Sequence, residues 1–276
     1  MAGKKVIPLY DIAVTGGGPA GLAAAIHARA RDKNVVVLSS EPTASPLCRA
    51  ERVDNYPGLP QTGGRTLVET FLRQARALGA EFKQGRVLNV MPRKSGFMLS
   101  VGPDVVEARA VILATGLARS AKLPGEAEYL GRGVSYCATC DGMLYRGKRV
   151  AVLGWTPSAK KEAEFLESIG CQAVYFDKPR DCAVLGAEKV EAVRCDGVTE
   201  AVEGVFLLRP AMAPGDLFPG LAAEAGFVTV DRSMATNLPG VFAAGDCTGG
   251  PLQVSKAVGE GLIAGQKAAA FAAALK

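Results

Sequence analysis

Two cysteines two residues apart, Cys137-Ala138-Thr139-Cys140, followed at once by Asp141, are the residues here best suited to chemistry. Thiols at that spacing can close a small disulfide and so store and release an electron pair. At a helix N-terminus their thiolate form would be favoured. Asp141 is the candidate acid/base for the dithiol's proton; its ordinary role would be to complement a first helical turn. A zinc site would need a second Cys/His pair at ligand spacing, and none is present, so no metal is expected. The seven cysteines are an odd number, and the segment Met1 to Tyr10 is too short and polar for an export signal. A structural disulfide framework is therefore not expected. Cys48, Cys171, Cys182, Cys195 and Cys247 read as small apolar residues. The single histidine, His27, reads as structural.

Positioning such a pair requires a scaffold, and the N-terminal residues supply one. Asp11-Ile-Ala-Val-Thr15 predicts a short buried strand. Gly16-Gly-Gly18-Pro19-Ala20-Gly21 follows, then an Ala-rich helix to about Arg31 and a second strand from Val35 to Leu38. This is the order of a dinucleotide-binding βαβ unit. Gly16 permits the tight turn, Gly18 lets backbone approach a pyrophosphate, and Gly21 lets helix and strand pack closely. The phosphates would lie on the N-terminus of the helix that Pro19 and Ala20 begin.

The pattern recurs from Arg149, with a strand Val150–Leu153, a turn Gly154-Trp-Thr156-Pro157-Ser-Ala159, a helix through about Ile169 and a strand Ala173–Phe176. Its fingerprint does not recur. Thr156 stands where the second glycine belongs, so a branched side chain occupies the place where backbone must meet phosphate. Pro157 suits a first helical position but lacks an N–H. No arginine pair follows for a 2′-phosphate, although Asp177 could take ribose hydroxyls and keeps an NADH site open.

Two further strands complete the outline. Val105 to Leu113 ends in Ala-Thr115-Gly116, and Gly240-Val-Phe-Ala-Ala-Gly245-Asp246 leads to a helix from about Gln253. The expected fold is α/β, with two Rossmann-like domains of the three-layer ββα type, the second shortened. Residues 1–116 with 210–276 form the first and 117–209 an insertion, with boundaries near Leu117 and Arg209. A net charge of +5 without a basic tract argues against nucleic-acid binding. No apolar run approaches a membrane span, and a cytoplasmic location is expected.

Taken in order, Gly16–Gly21, Val53-Asp-Asn55-Tyr-Pro-Gly58, Ala114–Gly116, Cys137–Gly142 and Gly240–Asp246 resemble the bacterial-type thioredoxin reductases over nearly the whole chain. The resemblance implies the glutathione-reductase type of fold and a homodimer. It implies FAD held by Gly16, Gly18, Pro19, Ala20, Gly21, Ser39, Asn55, Val87, Thr115, Gly116, Gly245, Asp246, Gln253 and Val254. It also implies that Cys140 faces the isoalloxazine and that Cys137 attacks the disulfide of thioredoxin.

The departures narrow the resemblance. The family's NADPH fingerprint and arginine pair are absent, and Ala44-Ser45-Pro46 replaces a glycine-rich loop. These losses, with Phe206–Arg209 and Ala213-Pro214, resemble the ferredoxin-dependent flavin thioredoxin reductases. Thioredoxin and ferredoxin are then the expected partners. Three alternatives remain: a thioredoxin reductase using NADH or NADPH at an atypical site, a flavin dithiol oxidase using oxygen, and a flavoprotein kept as a scaffold.

Overall fold

The computed structural model describes residues 7–39, 45–102, 104–117, 122–136, 138–156, 158–209 and 214–275. The chain divides into two compact units, Met1–Ala118 with Ala211–Lys276, and Arg119–Pro210.

The first unit opens with β1 (Leu9–Thr15), α1 (Pro19–Arg29), β2 (Val35–Ser39), α2 (Gly64–Ala77) and β3 (Glu81–Gln84). β4 (Val87–Arg93), β5 (Gly96–Val101) and β6 (Asp104–Leu113) follow. β3, β2, β1 and the C-terminal half of β6 are parallel neighbours, while the N-terminal half of β6 joins β5 and β4 in an antiparallel meander. Alternation along the strands sorts the side chains into two cores. Ile12, Val14, Val35, Val37 and Ile112 pack beneath the helices. Ala13, Val36, Leu38, Val111 and Leu113 face Val90, Leu99 and Val106 of the meander. The layers are helix, parallel sheet and meander.

The second unit repeats this plan with fewer residues. β7 (Val134–Ser135), α3 (Ala138–Asp141), β8 (Arg149–Gly154), α4 (Ala159–Ser168) and β9 (Gln172–Asp177) precede an antiparallel trio, β10 (Cys182–Gly186), β11 (Val190–Cys195) and β12 (Val198–Ala201). β13 (Gly204–Leu208) returns to the parallel sheet, whose order is β7-β13-β8-β9. Val150, Val152, Phe206 and Leu208 pack on α4. Ala151, Leu153, Val205 and Leu207 pack on the trio.

The chain returns to the first unit through α5 (Pro214–Leu217), β14 (Ala223–Glu224) and β15 (Phe227–Val228). β16 (Val241–Ala243) and α6 (Val254–Ala274) end it. β16 pairs with the C-terminal half of β6. The two-domain Rossmann-like α/β expectation is met. The expected helix ends at Arg31 and Ile169 fall slightly earlier, at Arg29 and Ser168. Asp32, at φ 55°, turns the chain out of the first helix. Among the described residues no helix is long and apolar enough to cross a membrane.

α1 and α6 lie against each other with little between their backbones. A Cβ on Gly261 would meet the Ala20 carbonyl oxygen at 2.2 Å, and one on Gly265 would meet that of Ala24 at 2.4 Å. Backbone atoms cannot swing aside as a side chain can, so even a methyl must spread the helices. Gly261→Ala is expected to lower stability by about 1–3 kcal/mol, as overpacking does. Gly259→Ala, on the exposed side with open space around it, should raise stability by about 0.5–1 kcal/mol through helix propensity. Thermal unfolding of the two variants checks the pair.

Candidate functional site

The registers of the first unit bring four strand ends to one level. Thr15 lies opposite both Leu38 and Leu113, and Ala243 lies opposite Leu113. The last residue of β2, Ser39, and the residues that follow the other strands, Gly16 to Gly18, Ala114 to Gly116 and Ala244 to Asp246, therefore share the C-terminal edge of the sheet. That edge is where folds of this kind bind ligands.

The glycines there serve distinct ends. Gly16, at φ 118°, has no room for a Cβ, which would fall 2.2 Å from the Ala114 carbonyl oxygen. A Cβ on Gly21 would lie 2.0 Å from the Gly16 carbonyl oxygen, so this glycine lets α1 begin directly over β1. Gly18 and Gly116 face open space instead. The nearest atom to a Cβ on Gly18 is Ser45 Oγ, at 3.9 Å. Gly18 caps α1 with no side-chain cap bond and no acid in the first turn, so the helix start favours an anion.

Further residues converge on this edge. Asn55 Nδ2 donates to Gln253 Oε1 at 2.8 Å, tying the Val53–Gly58 segment to the start of α6. Gln253 is the N-cap of that helix and Val254 its first residue. Thr115 Oγ1 is buried and has no hydrogen-bond partner among the described residues. Val87 opens β4 with its side chain buried in the meander core, so only its backbone could face a ligand. Ala44 lies outside the described residues, while Ser45 and Pro46 begin a short 3-10 turn ending at Arg49.

Sequence reasoning missed Lys256 and Glu260, which shape the Gly245–Gly249 loop. The Gly245 N–H donates to Glu260 Oε2 at 2.8 Å, and the Lys256 ammonium reaches the Gly245 and Gly249 carbonyls at 2.8 and 2.7 Å. Their i,i+4 spacing at the start of a helix was the available signal.

In the second unit, Cys137 lies outside the described residues, and Cys140 is the third residue of α3. This helix is a single turn continued by a 3-10 turn over Gly142–Tyr145. A helix therefore does begin within the Cys-x-x-Cys segment, though it is only one turn long. Ser135 Oγ donates to Asp141 Oδ2 at 2.6 Å, so the candidate proton carrier is held by a buried hydroxyl. Gly142 presses on α4, where a Cβ would come within 2.7 Å of Leu166. The Cys171 thiol, its pKa raised by burial, donates to the Tyr145 carbonyl at 3.2 Å. Met143 and Leu144, within the 3-10 turn, are exposed apolar residues. Met143 also borders an open cavity of about 420 Å³ with Arg146, Glu167 and Ile169.

At the C-terminal edge of the second sheet, side chains meet one another. The Trp155 indole N–H donates to the Pro179 carbonyl at 3.2 Å, so the ring spans from the end of β8 to beyond β9. The Arg209 guanidinium lies over that ring, 5.1 Å from its centre. Arg209 also pairs with Glu126 at 2.6 Å, both buried. Glu126 accepts further bonds from the Tyr136 hydroxyl at 3.0 Å and the Leu123 N–H at 2.8 Å. Thr156 Oγ1 lies 3.1 Å from Ser158 Oγ. Asp177, the candidate ribose ligand, accepts from the Tyr175 hydroxyl at 3.2 Å. The expectation about Pro157 falls outside the described residues.

A glycine-cradled sheet edge in one unit and a Cys-x-x-Cys segment on a second Rossmann-like unit define a flavin-dependent disulfide oxidoreductase. The pyridine nucleotide-disulphide oxidoreductase family model matches residues 10–205 and 209–261, and the chain belongs to that family. A thioredoxin reductase of Listeria innocua is 32% identical over 313 aligned positions, covering 100% of this chain and 97% of that protein. The crystal structure of a ferredoxin-flavin thioredoxin reductase from Clostridium acetobutylicum superimposes with a TM-score of 0.90 at 36% identity. It covers 97% of this chain and 99% of its own. A thioredoxin reductase from Gloeobacter violaceus gives a TM-score of 0.81 at 31% identity, covering 97% of this chain and 95% of its own. The chain is thus a homologue of the thioredoxin reductases.

The buried Arg209–Glu126 pair makes the second edge sensitive to substitution. Arg209→Met leaves Glu126 charged and buried, and should cost about 3–5 kcal/mol. Adding Glu126→Gln should recover part of that loss. Trp155 is the single tryptophan, so its fluorescence during denaturant unfolding reports on this edge.

Proposed function

We propose that the chain reduces thioredoxin through a Cys137/Cys140 disulfide, with FAD on the glycine-lined edge and ferredoxin, not NADPH or NADH, as electron donor. A homodimer is its expected assembly. The observation that carries the donor assignment is the second sheet edge, where Trp155, Arg209 and Glu126 lie where a nicotinamide dinucleotide would have to lie. A ligand there would have to displace a stacked indole and open a buried ion pair. Asp177, already bonded to Tyr175, adds little to an NADH site.

The residues of the first edge fit FAD. Gly18 and Gly116 leave space that a Cβ would narrow, the start of α1 carries free positive dipole, and the buried Thr115 hydroxyl lacks a partner among the described residues. Gly16, Pro19, Ala20 and Gly21 would hold the pyrophosphate. Ser39 and the Val87 backbone would take the adenosine half; Asn55, Gly245, Asp246, Gln253 and Val254 would take the remainder. When bound, FAD would accept electrons singly from an iron–sulfur carrier and release them as a pair. A plant-type ferredoxin near −400 mV and thioredoxin near −270 mV differ by about 130 mV, roughly 6 kcal/mol downhill for two electrons.

The chain's own residues carry the dithiol chemistry. Cys137, as thiolate, attacks one sulfur of the thioredoxin disulfide and forms a mixed disulfide. Cys140 then attacks Cys137 and releases reduced thioredoxin. Asp141, held by Ser135, relays the proton. Met143 and Leu144, which follow the Cys-Ala-Thr-Cys segment in sequence, offer exposed apolar surface for the incoming protein. The Ser135–Asp141 bond and the relatives' names favour this direction over a dithiol oxidase.

Anaerobic flavin spectra test the donor. Reduced ferredoxin should bleach the flavin and thioredoxin should restore its colour, whereas bleaching by NADH or NADPH within seconds would overturn the assignment. Cys140→Ser should abolish thioredoxin reduction with flavin retained. Cys137→Ser should leave a long-wavelength charge-transfer band from the remaining thiolate. Thr115→Val should leave the flavin-free protein as stable or more so, while weakening flavin retention about tenfold, one hydrogen bond's worth.

A further inference from the structure

Two of the cysteines read as small apolar residues, Cys182 and Cys195, stand opposite each other. β10 and β11 pair antiparallel, with Cys182 in register with Cys195. Their sulfurs lie 2.7 Å apart, and both residues are buried, at 3% and 1% exposure. An adjacent turn holds them there. Asp196 and Gly197, at φ 50° and 84°, form the two-residue connection from β11 to β12, an Asp-Gly pair suited to a hairpin of this kind. The Asp196 carboxylate accepts the N–H groups of Arg180 and Asp181 at 3.0 and 2.9 Å, and its own N–H donates to the Asp181 carbonyl at 2.7 Å. Those bonds clamp the start of β10 to the end of β11 and prevent a slip of register.

The clamp also sets the kind of pair. Asp181 and Asp196 are joined through the backbone, so the next pair along, Cys182 and Cys195, is the non-hydrogen-bonded kind. In such pairs the Cα atoms lie about 4.5 Å apart and the side chains approach most closely. That separation is within the range a disulfide spans.

We propose that Cys182 and Cys195 are a second redox pair, which closes into a cross-strand disulfide when the protein meets a peroxide. One sulfur attacks the peroxide, becoming a sulfenic acid as the O–O bond breaks and one water leaves. The other sulfur attacks the sulfenic sulfur, the S–S bond forms and a second water leaves. The two thiols lose two electrons and two protons, and hydrogen peroxide becomes two waters. Burial raises the pKa of both thiols and so keeps them largely protonated, which makes this closure slower than that of an exposed dithiol. The bond would join the start of β10 to β11 and β12 and restrain the antiparallel layer of the second unit. The pair is independent of the electron donor and of the Cys137/Cys140 chemistry.

The test uses the full chain carrying Cys137→Ser and Cys140→Ser, which leaves five of the seven cysteines. The folded, flavin-loaded protein is reduced, freed of reductant, exposed to hydrogen peroxide, then labelled with maleimide in denaturant and digested with trypsin. Five labels are expected before oxidation and three after it, with the peptide carrying Cys182 joined to the peptide carrying Cys195. The thermal midpoint should rise on oxidation. That rise and the joined peptide should both be absent when Cys182→Ser is added, and with Cys182 intact both should be reversed by reduction. Five labels after prolonged oxidation, or a joined peptide containing Cys48, Cys171 or Cys247 in place of this pair, would overturn the proposal. So would a joined peptide that forms only when peroxide is added in denaturant.

Discussion

Backbone lying directly on backbone is the constraint from which the rest of the first unit follows. α1 starts over the end of β1 because Gly21 has no Cβ to strike the Gly16 carbonyl, and Gly16 has none to strike Ala114. α6 then reaches α1 because Gly261 and Gly265 are bare where they cross Ala20 and Ala24. Moving either helix outward by the thickness of a methyl group would withdraw the α1 N-terminus from the sheet edge. The same contacts thus hold the core together and aim the helix's unpaired N–H groups at the edge.

The second unit repeats the βαβ plan in a smaller parallel sheet and lacks this intimacy at its own edge. Thr156 and Trp155 follow the strand where glycines would leave room, and the space fills with an indole, a guanidinium and a carboxylate that bond to one another. A buried ion pair is weak support for stability in itself, but it is hard to open. One edge therefore stays receptive and the other is occupied by its own side chains, on two copies of one architecture. That asymmetry is what the proposed function draws on, with one edge for a cofactor and a second domain kept for its thiols. The link from Glu126 through the Tyr136 hydroxyl also ties the filled edge to the residue next to Cys137.

Much of this was legible in the residues alone. The glycine fingerprint, the Cys-x-x-Cys spacing, the strand ends at Gly116 and Gly245 and the break in the second fingerprint each lie within a few consecutive residues. Local sterics impose such patterns, so a short window of sequence carries them. Asn55 and Gln253 came from resemblance, and their mutual hydrogen bond spans 198 residues. Lys256 and Glu260 went unnoticed because an i,i+4 pair on a helix is ordinary until the loop it grips is known. The expected helix beneath the thiols proved to be one turn, a length that residue preferences do not specify.

By itself the sequence determined the class of fold, the receptive edge and the dithiol, since each depends on which residues lack a side chain or carry sulfur at fixed short spacing. The tertiary structure decided what fills the second edge and which cysteines face each other. Arg209 meets Glu126 across 83 residues. Cys182 meets Cys195 only because the Asp196 turn sets the register of a ladder. Such encounters depend on how strands pair and layers stack, and a one-residue slip would send each side chain to the opposite face.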